Sequence, residues 1–174
     1  MDKNPNITIA SSRFNQKTWD ENCLYRESKN IEGCIYGSPC RLAAKIPINS
    51  LVFITEMNNT TNKIEGVGLI YNLIQSDKYY CVYDAGNYNR YIYKSDYRIN
   101  RDTLIQYNPD LVKALDHILF KEKTHLKRGS GIITIPEKLL THKVCNGINM
   151  RAELAAIFKR YFQQNEEELK ILAS

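Results

Sequence analysis

The segment Ser50–Leu73 constrains the fold most, because it contains two apolar runs joined by a polar turn. The first run, Ser50–Met57, is rich in β-branched and aromatic residues, a composition typical of a strand. Residues 58–62 read Asn-Asn-Thr-Thr-Asn and suit a turn, since Asn tolerates left-handed backbone and short polar side chains bond nearby backbone. Lys63–Leu73 reads as the second strand. We therefore expect an antiparallel hairpin with a five-residue loop.

The second strand of this hairpin contains Gly66 and Gly68, and two glycines in one strand indicate a β-bulge or a sharp bend. Other short segments have strand-like composition and lie close together along the chain. Such spacing is typical of a small barrel or a strongly curved sheet. These further predicted strands are residues 6–10, 34–36, 78–84, 90–94, 97–99 and 132–135.

Helices are predicted on both sides of this β-rich region. The clearest start signal is Asn108-Pro109-Asp110, which supplies a cap, a proline in the first turn and then an acid, and the helix should end near Lys123. Apolar periodicity and capping residues predict the others. They are Arg13–Arg26 after a Ser11-Ser12 cap, a short helix opening at Pro136, and a final helix that Asn149 caps and residues 169–172 extend.

A chain of 174 residues is long enough for one domain with a sizeable core. We predict a single α+β domain over residues 1–174, β-rich in 6–105 and helical in 108–174. Its sheet is expected to be small and strongly curved or closed into a β-barrel, with three or more helices around it.

No apolar stretch approaches the ~18 residues of a membrane span, and the polar start does not resemble a signal peptide. These features predict a cytoplasmic or nuclear protein that does not bind membranes, and they are compatible with a place in a virion. The five cysteines include no Cys-x-x-Cys pair. Neither a metal site nor a cofactor is therefore expected.

Residues 79–101 contain seven of the 12 tyrosines, interspersed with arginine and lysine. Exposed tyrosine rings can stack on unpaired bases, at about 1–3 kcal/mol per base, while cations neutralise phosphates. We predict that Tyr88 and Tyr91 stack on bases and that Arg90 and Arg98 contact phosphates. Two alternatives stay open. Tyrosine also suits half-buried strands, and an AT-rich genome, as in some parasites, bacteria and large DNA viruses, favours its codons.

A second basic segment, residues 121–131, brings four lysines and arginines close to two glycines. Because glycine lets backbone N–H groups approach an anion, we predict that Lys127, Arg128 and Gly129 contact phosphate. The alternative is a solvated helix end whose lysines oppose the helix dipole.

Trp19, the only tryptophan, lies on the first predicted helix. With Arg13, Asn15 and Asn22 it could line a pocket for a base, with the amides reading its edge. The alternative is a tryptophan buried in the core of the protein.

Motifs of phosphate-binding loops, α/β-hydrolases and zinc proteases are missing, and the three histidines, His117, His125 and His142, are isolated in sequence. We therefore predict that the protein is not an enzyme. The alternative is a nucleic-acid enzyme acting through His125 or His142, because catalytic groups can assemble in space.

Residues 50–73, an apolar strand, a polar turn and a Lys-Ile-x-Gly-x-Gly strand, resemble the PUA-like superfamily, which includes EVE, ASCH and YTH modules. The resemblance extends over about residues 6–135, and its specific part is 50–73. It implies a small barrel that binds RNA or modified DNA bases in a cleft beside it. No aromatic cage of the family can be matched residue by residue.

Together these features predict a non-enzymatic module that binds RNA or single-stranded or modified DNA. The alternative is a structural or protein-interaction component, such as a viral accessory or virion protein, since tyrosine and arginine also favour protein interfaces. The sequence leaves the oligomeric state open. The predicted nucleic-acid contacts are Trp19, Tyr88, Arg90, Tyr91, Arg98, Lys127, Arg128 and Gly129.

Overall fold

A computed structural model describes residues 7–163 and shows an α+β fold, as predicted. Its strands are β1 (Thr8–Phe14), β2 (Cys34–Ser38), β3 (Leu51–Asn58), β4 (Lys63–Tyr71), β5 (Tyr91–Ser95), β6 (Tyr97–Asn100) and β7 (Ile132–Thr134). Its helices are α1 (Gln16–Ser28), α2 (Arg101–Tyr107), α3 (Pro109–Phe120), α4 (Glu137–Leu140) and α5 (Met150–Tyr161), with 3₁₀ turns at Gly86–Asn89 and Lys143–Cys145. Within the described residues, no helix combines the length and the apolar character needed to cross a membrane.

The main sheet has five strands in the order β6-β4-β3-β1-β7, and it is mixed because β1 runs parallel to β3. It is open, with β6 and β7 at opposite edges, so the predicted barrel does not form. The physical reason lies in β5, which pairs with β2 in a separate two-stranded sheet. No described strand is then left to connect β6 to β7.

The predicted hairpin is confirmed as the antiparallel pair β3–β4. Thr55 lies opposite Val67 and Met57 opposite Ile64, so two residues of β4 face one residue of β3. This is the β-bulge that the glycines indicated. A Cβ on Gly66 would lie 2.7 Å from the carbonyl oxygen of Ile99, so only glycine allows β6 to approach the bulge.

Both faces of the main sheet are buried. On one face, β3 contributes Phe53 and Met57 to a core covered by helices α2 to α5. On the other face, Val52 and Ile54 pack towards α1 and the β2–β5 pair. A strand buried on both faces has no polar side, which explains the continuous apolar run in the sequence.

The predicted strand 78–84 is wrong, because this segment is irregular. The side chain of Asn89 takes the place of a partner strand. Its Oδ1 accepts from the backbone N–H groups of Val82 (3.0 Å) and Tyr83 (2.9 Å), and its Nδ2 donates to the Tyr83 carbonyl (2.7 Å). An amide side chain can satisfy backbone groups in this way and compete with strand pairing.

Two helix starts also differ from the prediction. β1 continues through the predicted Ser11-Ser12 cap, and Asn15 caps α1, its Oδ1 accepting from the backbone N–H of Thr18 at 2.9 Å. Helix α2, which the sequence patterns did not indicate, begins directly after β6 and is capped by Asn100. The starts of α3 and α5, capped by Asn108 and Asn149, are as predicted. The predicted extension at residues 169–172 lies outside the described residues.

Candidate functional site

A pocket of about 140 Å³ lies where β1 passes into α1. Its wall combines residues 12–15 and Thr18 with Tyr83, Tyr88 and residues 129–131. The start of α1, the Tyr-rich segment and the basic loop therefore meet at one place. A cavity of about 150 Å³ can hold one benzene ring, whereas drug-sized ligands need at least about 300 Å³. The pocket thus suits a single ring-sized group.

The parallel pairing of β1 and β3 creates this position. Parallel strands end at the same edge of a sheet, and here Phe14 lies opposite Asn58. The next residue, Asn59, donates its backbone N–H to the carbonyl of Phe14 at 2.7 Å and lines the pocket. Ligands of open sheets commonly bind outside the carboxyl ends of parallel strands.

Three aromatic residues form the apolar part of the wall. The ring centroids of Phe14 and Tyr83 are 6.5 Å apart, and those of Tyr83 and Tyr88 are 6.3 Å apart in an edge-to-face contact. Tyr83 is buried and its hydroxyl accepts from Nδ2 of Asn22 at 3.0 Å. Burial raises the pKa of Tyr83, so its hydroxyl is uncharged at neutral pH. Tyr88 is only half-buried, so its ring is the one available to a ligand.

Arg13, near the end of β1, ties the basic loop to the sheet. Its Nη1 donates to the carbonyl of Arg128 and its Nη2 to that of Ser130 at 2.7 Å. Its Nε is buried and has no hydrogen-bond partner among the described residues. Burial also lowers the pKa of the guanidinium, with Tyr88 acting in the opposite direction. Arginine nevertheless stays protonated in proteins, so a charged group with one unpaired N–H is buried within the pocket wall.

Asn59 supplies the opposite kind of group. Its Nδ2 donates to the carbonyl of Lys127 at 3.0 Å. Because a carbonyl can only accept, this contact places the amide nitrogen there and leaves Oδ1 as the acceptor. Oδ1 is buried and unpaired among the described residues. A buried polar group without a partner costs about 1–3 kcal/mol, and the pocket residues carry one such donor and one such acceptor.

The glycines of the basic loop adopt backbone conformations that other residues avoid. Gly129 has φ +89° and Gly131 has φ +79°. A Cβ on Gly131 would lie 2.6 Å from Oγ of Ser38, and the Gly131 carbonyl accepts from the backbone N–H of Arg13 at 3.3 Å. The loop is therefore held against the ends of β1 and β2 in a shape that requires glycine.

The structure brings some of the predicted contacts to the pocket. Tyr88 and Gly129 line it, and Arg128 is exposed directly before Gly129. Lys127 is half-buried, with its carbonyl bound to Asn59. Trp19 is buried behind the wall and packs edge-to-face on Phe14 with 5.2 Å between ring centroids. Trp19 thus supports the wall, and its ring is covered by the protein.

Arg98 is engaged inside the fold. Its Nη2 and Nε bond the carboxylate of Glu56 at 2.7–3.1 Å, and the hydroxyl of Tyr36 donates to the same carboxylate at 2.7 Å. The side chain of Glu56 is 2% exposed and that of Arg98 is 12% exposed. Arg98 is therefore not part of the candidate site. Arg90 and Tyr91 do not line the pocket.

The histidines lie elsewhere. The Nε2 atoms of His117 and His142 are 2.5 Å and 3.3 Å from the same oxygen of Glu122, and none of these three residues lines the pocket. In the part of the chain that the structure describes, no group of three or more His, Cys, Asp or Glu residues is arranged to hold a metal ion. All five cysteines lie in that part, and all are unpaired thiols.

Sequence patterns did not indicate the roles of Asn59, Tyr83 and Ser130 at the pocket. Asn59 belongs to the predicted turn, and turn chemistry alone accounts for its polarity. Tyr83 lies in a predicted strand that does not form. The available signal was the Arg-Gly-Ser-Gly sequence of residues 128–131, which marks a loop but not what it packs against.

Comparison of the chain with known protein families, curated proteins and solved structures gave no match. The geometry of the pocket therefore carries the functional argument.

Proposed function

We propose that the protein is a non-enzymatic nucleic-acid-binding module that takes one unpaired base of RNA or of single-stranded or modified DNA into this pocket. The observation that carries the proposal is the pair of buried, unpartnered groups, Arg13 Nε and Asn59 Oδ1, on residues that line a ring-sized pocket. The PUA-like resemblance of residues 50–73 supports the same function, although the closed barrel that this resemblance implies does not form.

The chemistry of the wall matches a nucleobase. A base has flat apolar faces and an edge that carries both donors and acceptors. Because both atoms are buried in the wall, we propose that a small shift of these side chains on binding exposes them. The Nε–H of Arg13 would then donate to a ring nitrogen or carbonyl, and Oδ1 of Asn59 would accept from an amino group or ring N–H. Each new hydrogen bond contributes about 0.5–1.5 kcal/mol, and stacking on Tyr88 adds about 1–3 kcal/mol.

The rim of the pocket carries positive charge. Lys127 and Arg128 directly precede the glycine loop, and the whole chain has a formal charge of +5. A base held in the pocket leaves its own phosphate at the rim, where these side chains would neutralise it. Binding should then weaken as salt concentration rises, because neutralised phosphates release counterions.

Fluorescence anisotropy with labelled single-stranded RNA and DNA oligomers tests the proposal. Tyr88→Ala should weaken binding about 5- to 150-fold, from the loss of about 1–3 kcal/mol of stacking. Tyr161→Ala is the control, because it removes an exposed tyrosine ring from α5, outside the pocket. Asn59→Ala should weaken binding while changing stability little, because it removes one hydrogen bond and one unpaired acceptor together.

Two results would overturn the proposal. One is the absence of binding to any single strand at micromolar protein. The other is equal affinity of the Tyr88→Ala and Tyr161→Ala proteins. A nuclease-resistant complex with another protein, found together with either result, would favour the protein-interaction alternative.

A further inference from the structure

Two arginines flank one tyrosine ring outside the pocket. The guanidinium carbons of Arg41 and Arg90 each lie 5.3 Å from the ring centroid of Tyr91. Both arginines are exposed, and neither forms an ion pair with another described residue. We call these three residues the Tyr91 cluster.

The Tyr91 cluster is held in place by its neighbours. Arg41 comes from the segment after β2, and the backbone N–H of the next residue, Leu42, donates to the hydroxyl of Tyr93 at 3.0 Å. Arg90 directly precedes β5, whose Tyr91 lies opposite Ser38 of β2. Contact with the tyrosine ring restricts each guanidinium, so less side-chain freedom is lost when an anion binds.

The Tyr91 cluster lies close to the pocket. Gly37, next to Ser38 on β2, lines the pocket, and Gly131 of the pocket loop packs against Ser38. Adjacent Cα atoms are about 3.8 Å apart, and paired residues on antiparallel strands are about 4.5–5.5 Å apart. The backbone of Tyr91 is therefore within about 10 Å of the pocket wall. A single strand that keeps the base-stacked spacing of about 3.4 Å per nucleotide covers this distance in about three nucleotides.

We propose that the Tyr91 cluster binds backbone phosphates of the same single strand, about three nucleotides from the base in the pocket. This inference rests on the proposed function and adds the path that the strand follows. Guanidinium groups bind phosphate through paired hydrogen bonds, and no carboxylate within the described part of the fold neutralises them here. The spacing from a ring-sized pocket favours a nucleic-acid strand over an isolated anion.

The test compares Arg41→Gln/Arg90→Gln with the control Lys159→Gln/Arg160→Gln. The control removes the same charge from α5, which packs on the other face of the main sheet. The guanidinium carbon of Arg160 likewise lies 5.2 Å from a tyrosine ring centroid, that of Tyr107. Affinities are measured by anisotropy across a salt series for a mononucleotide and for oligomers of increasing length. Far-UV circular dichroism and melting curves show whether each variant is folded.

The Arg41→Gln/Arg90→Gln protein should bind the mononucleotide like the unmodified protein. For oligomers longer than about three nucleotides it should bind more weakly, because the second contact needs that length. Its plot of log affinity against log salt should be shallower by about 1.4, the value for two lost phosphate contacts on a single strand. Arg41→Lys/Arg90→Lys should keep the steeper salt dependence, since lysine retains the charge.

An oligomer affinity and salt dependence of Arg41→Gln/Arg90→Gln equal to those of the control would overturn this inference. If Tyr88→Ala still weakens binding in that case, the proposed function stands and only the path of the strand is wrong. If the unmodified protein binds no single-stranded oligomer at all, the proposed function itself fails. Displacement of a bound oligomer by polyglutamate of equal charge, with equal efficiency, would also overturn the inference.

Discussion

Replacing Arg98 with Met removes the guanidinium from the Glu56 carboxylate while keeping most of the length of the side chain. In the native protein this carboxylate, 2% exposed, accepts from Arg98 at 2.7–3.1 Å and from the hydroxyl of Tyr36 at 2.7 Å. After the change, only the tyrosine contact is left. Removing one partner of a buried ion pair costs about 3–5 kcal/mol, because an uncompensated charge stays in the interior.

The neighbouring groups are consistent with a loss within this range. Trp19 loses the Arg98 guanidinium, which lies 5.5 Å from its ring centroid, and such contacts contribute about 0.5–2 kcal/mol. Gly66 and Gly68 pack closely on the pair and on Tyr36, because a Cβ at Gly66 would lie 2.9 Å from atoms of Arg98 and Glu56, and a Cβ at Gly68 would lie within 3 Å of Tyr36. We therefore expect the free energy of unfolding to fall by about 4 kcal/mol.

Urea denaturation followed by circular dichroism measures this loss. The double variant Glu56→Gln/Arg98→Met should recover much of the stability, because it leaves no unpaired charge. The affinity of Arg98→Met for single-stranded oligomers, measured under conditions in which the variant is still folded, should be unchanged. A loss below about 1 kcal/mol combined with weaker binding and a shallower salt dependence would refute this reasoning. Arg98 would then contact phosphate, as its sequence context predicts.

Two further predictions concern the loop and the thiols. Gly131→Ala should destabilise the protein by more than Gly147→Ala. Both glycines have positive φ, so both changes strain the backbone. A new Cβ at Gly131 would also lie 2.6 Å from Oγ of Ser38, whereas a Cβ at Gly147 would have nothing within 4 Å. Melting curves compare the two variants, and equal losses would show that the loop does not depend on this contact. Burial raises the pKa of Cys34 from 9.0 to about 11, so its thiol should not react with Ellman's reagent at about pH 8, where the exposed Cys40 should react. Rapid labelling of Cys34 in the folded protein would contradict its burial. Because the pKa of Cys34 is raised in the folded state, its contribution to stability is fully present below about pH 9 and is lost as pH rises towards about 11.

Local features of the sequence were enough to predict the β3–β4 hairpin, its bulge and the caps of α3 and α5. Each depends on residues close together in the chain: an Asn-rich turn, two glycines within one strand, or Asn directly before a helix. The α+β class follows from the order of these elements. The same local patterns failed for residues 78–84, because Asn89 bonds their backbone in place of a partner strand.

The candidate site needed the tertiary structure. The sequence singles out Tyr88 and the loop Lys127–Gly129 by residue type, and it indicates Arg13 only as a neighbour of Trp19. What decided their grouping was contact between distant segments: Arg13 bonds the carbonyls of residues 115 and 117 positions further along the chain. Trp19 and Arg98 had equally suitable chemistry, but one became wall support and the other half of a buried ion pair. The amino-acid sequence determines which side chains have the chemistry to bind a nucleic acid. The packing of the chain determines which of these side chains lack a partner inside the protein.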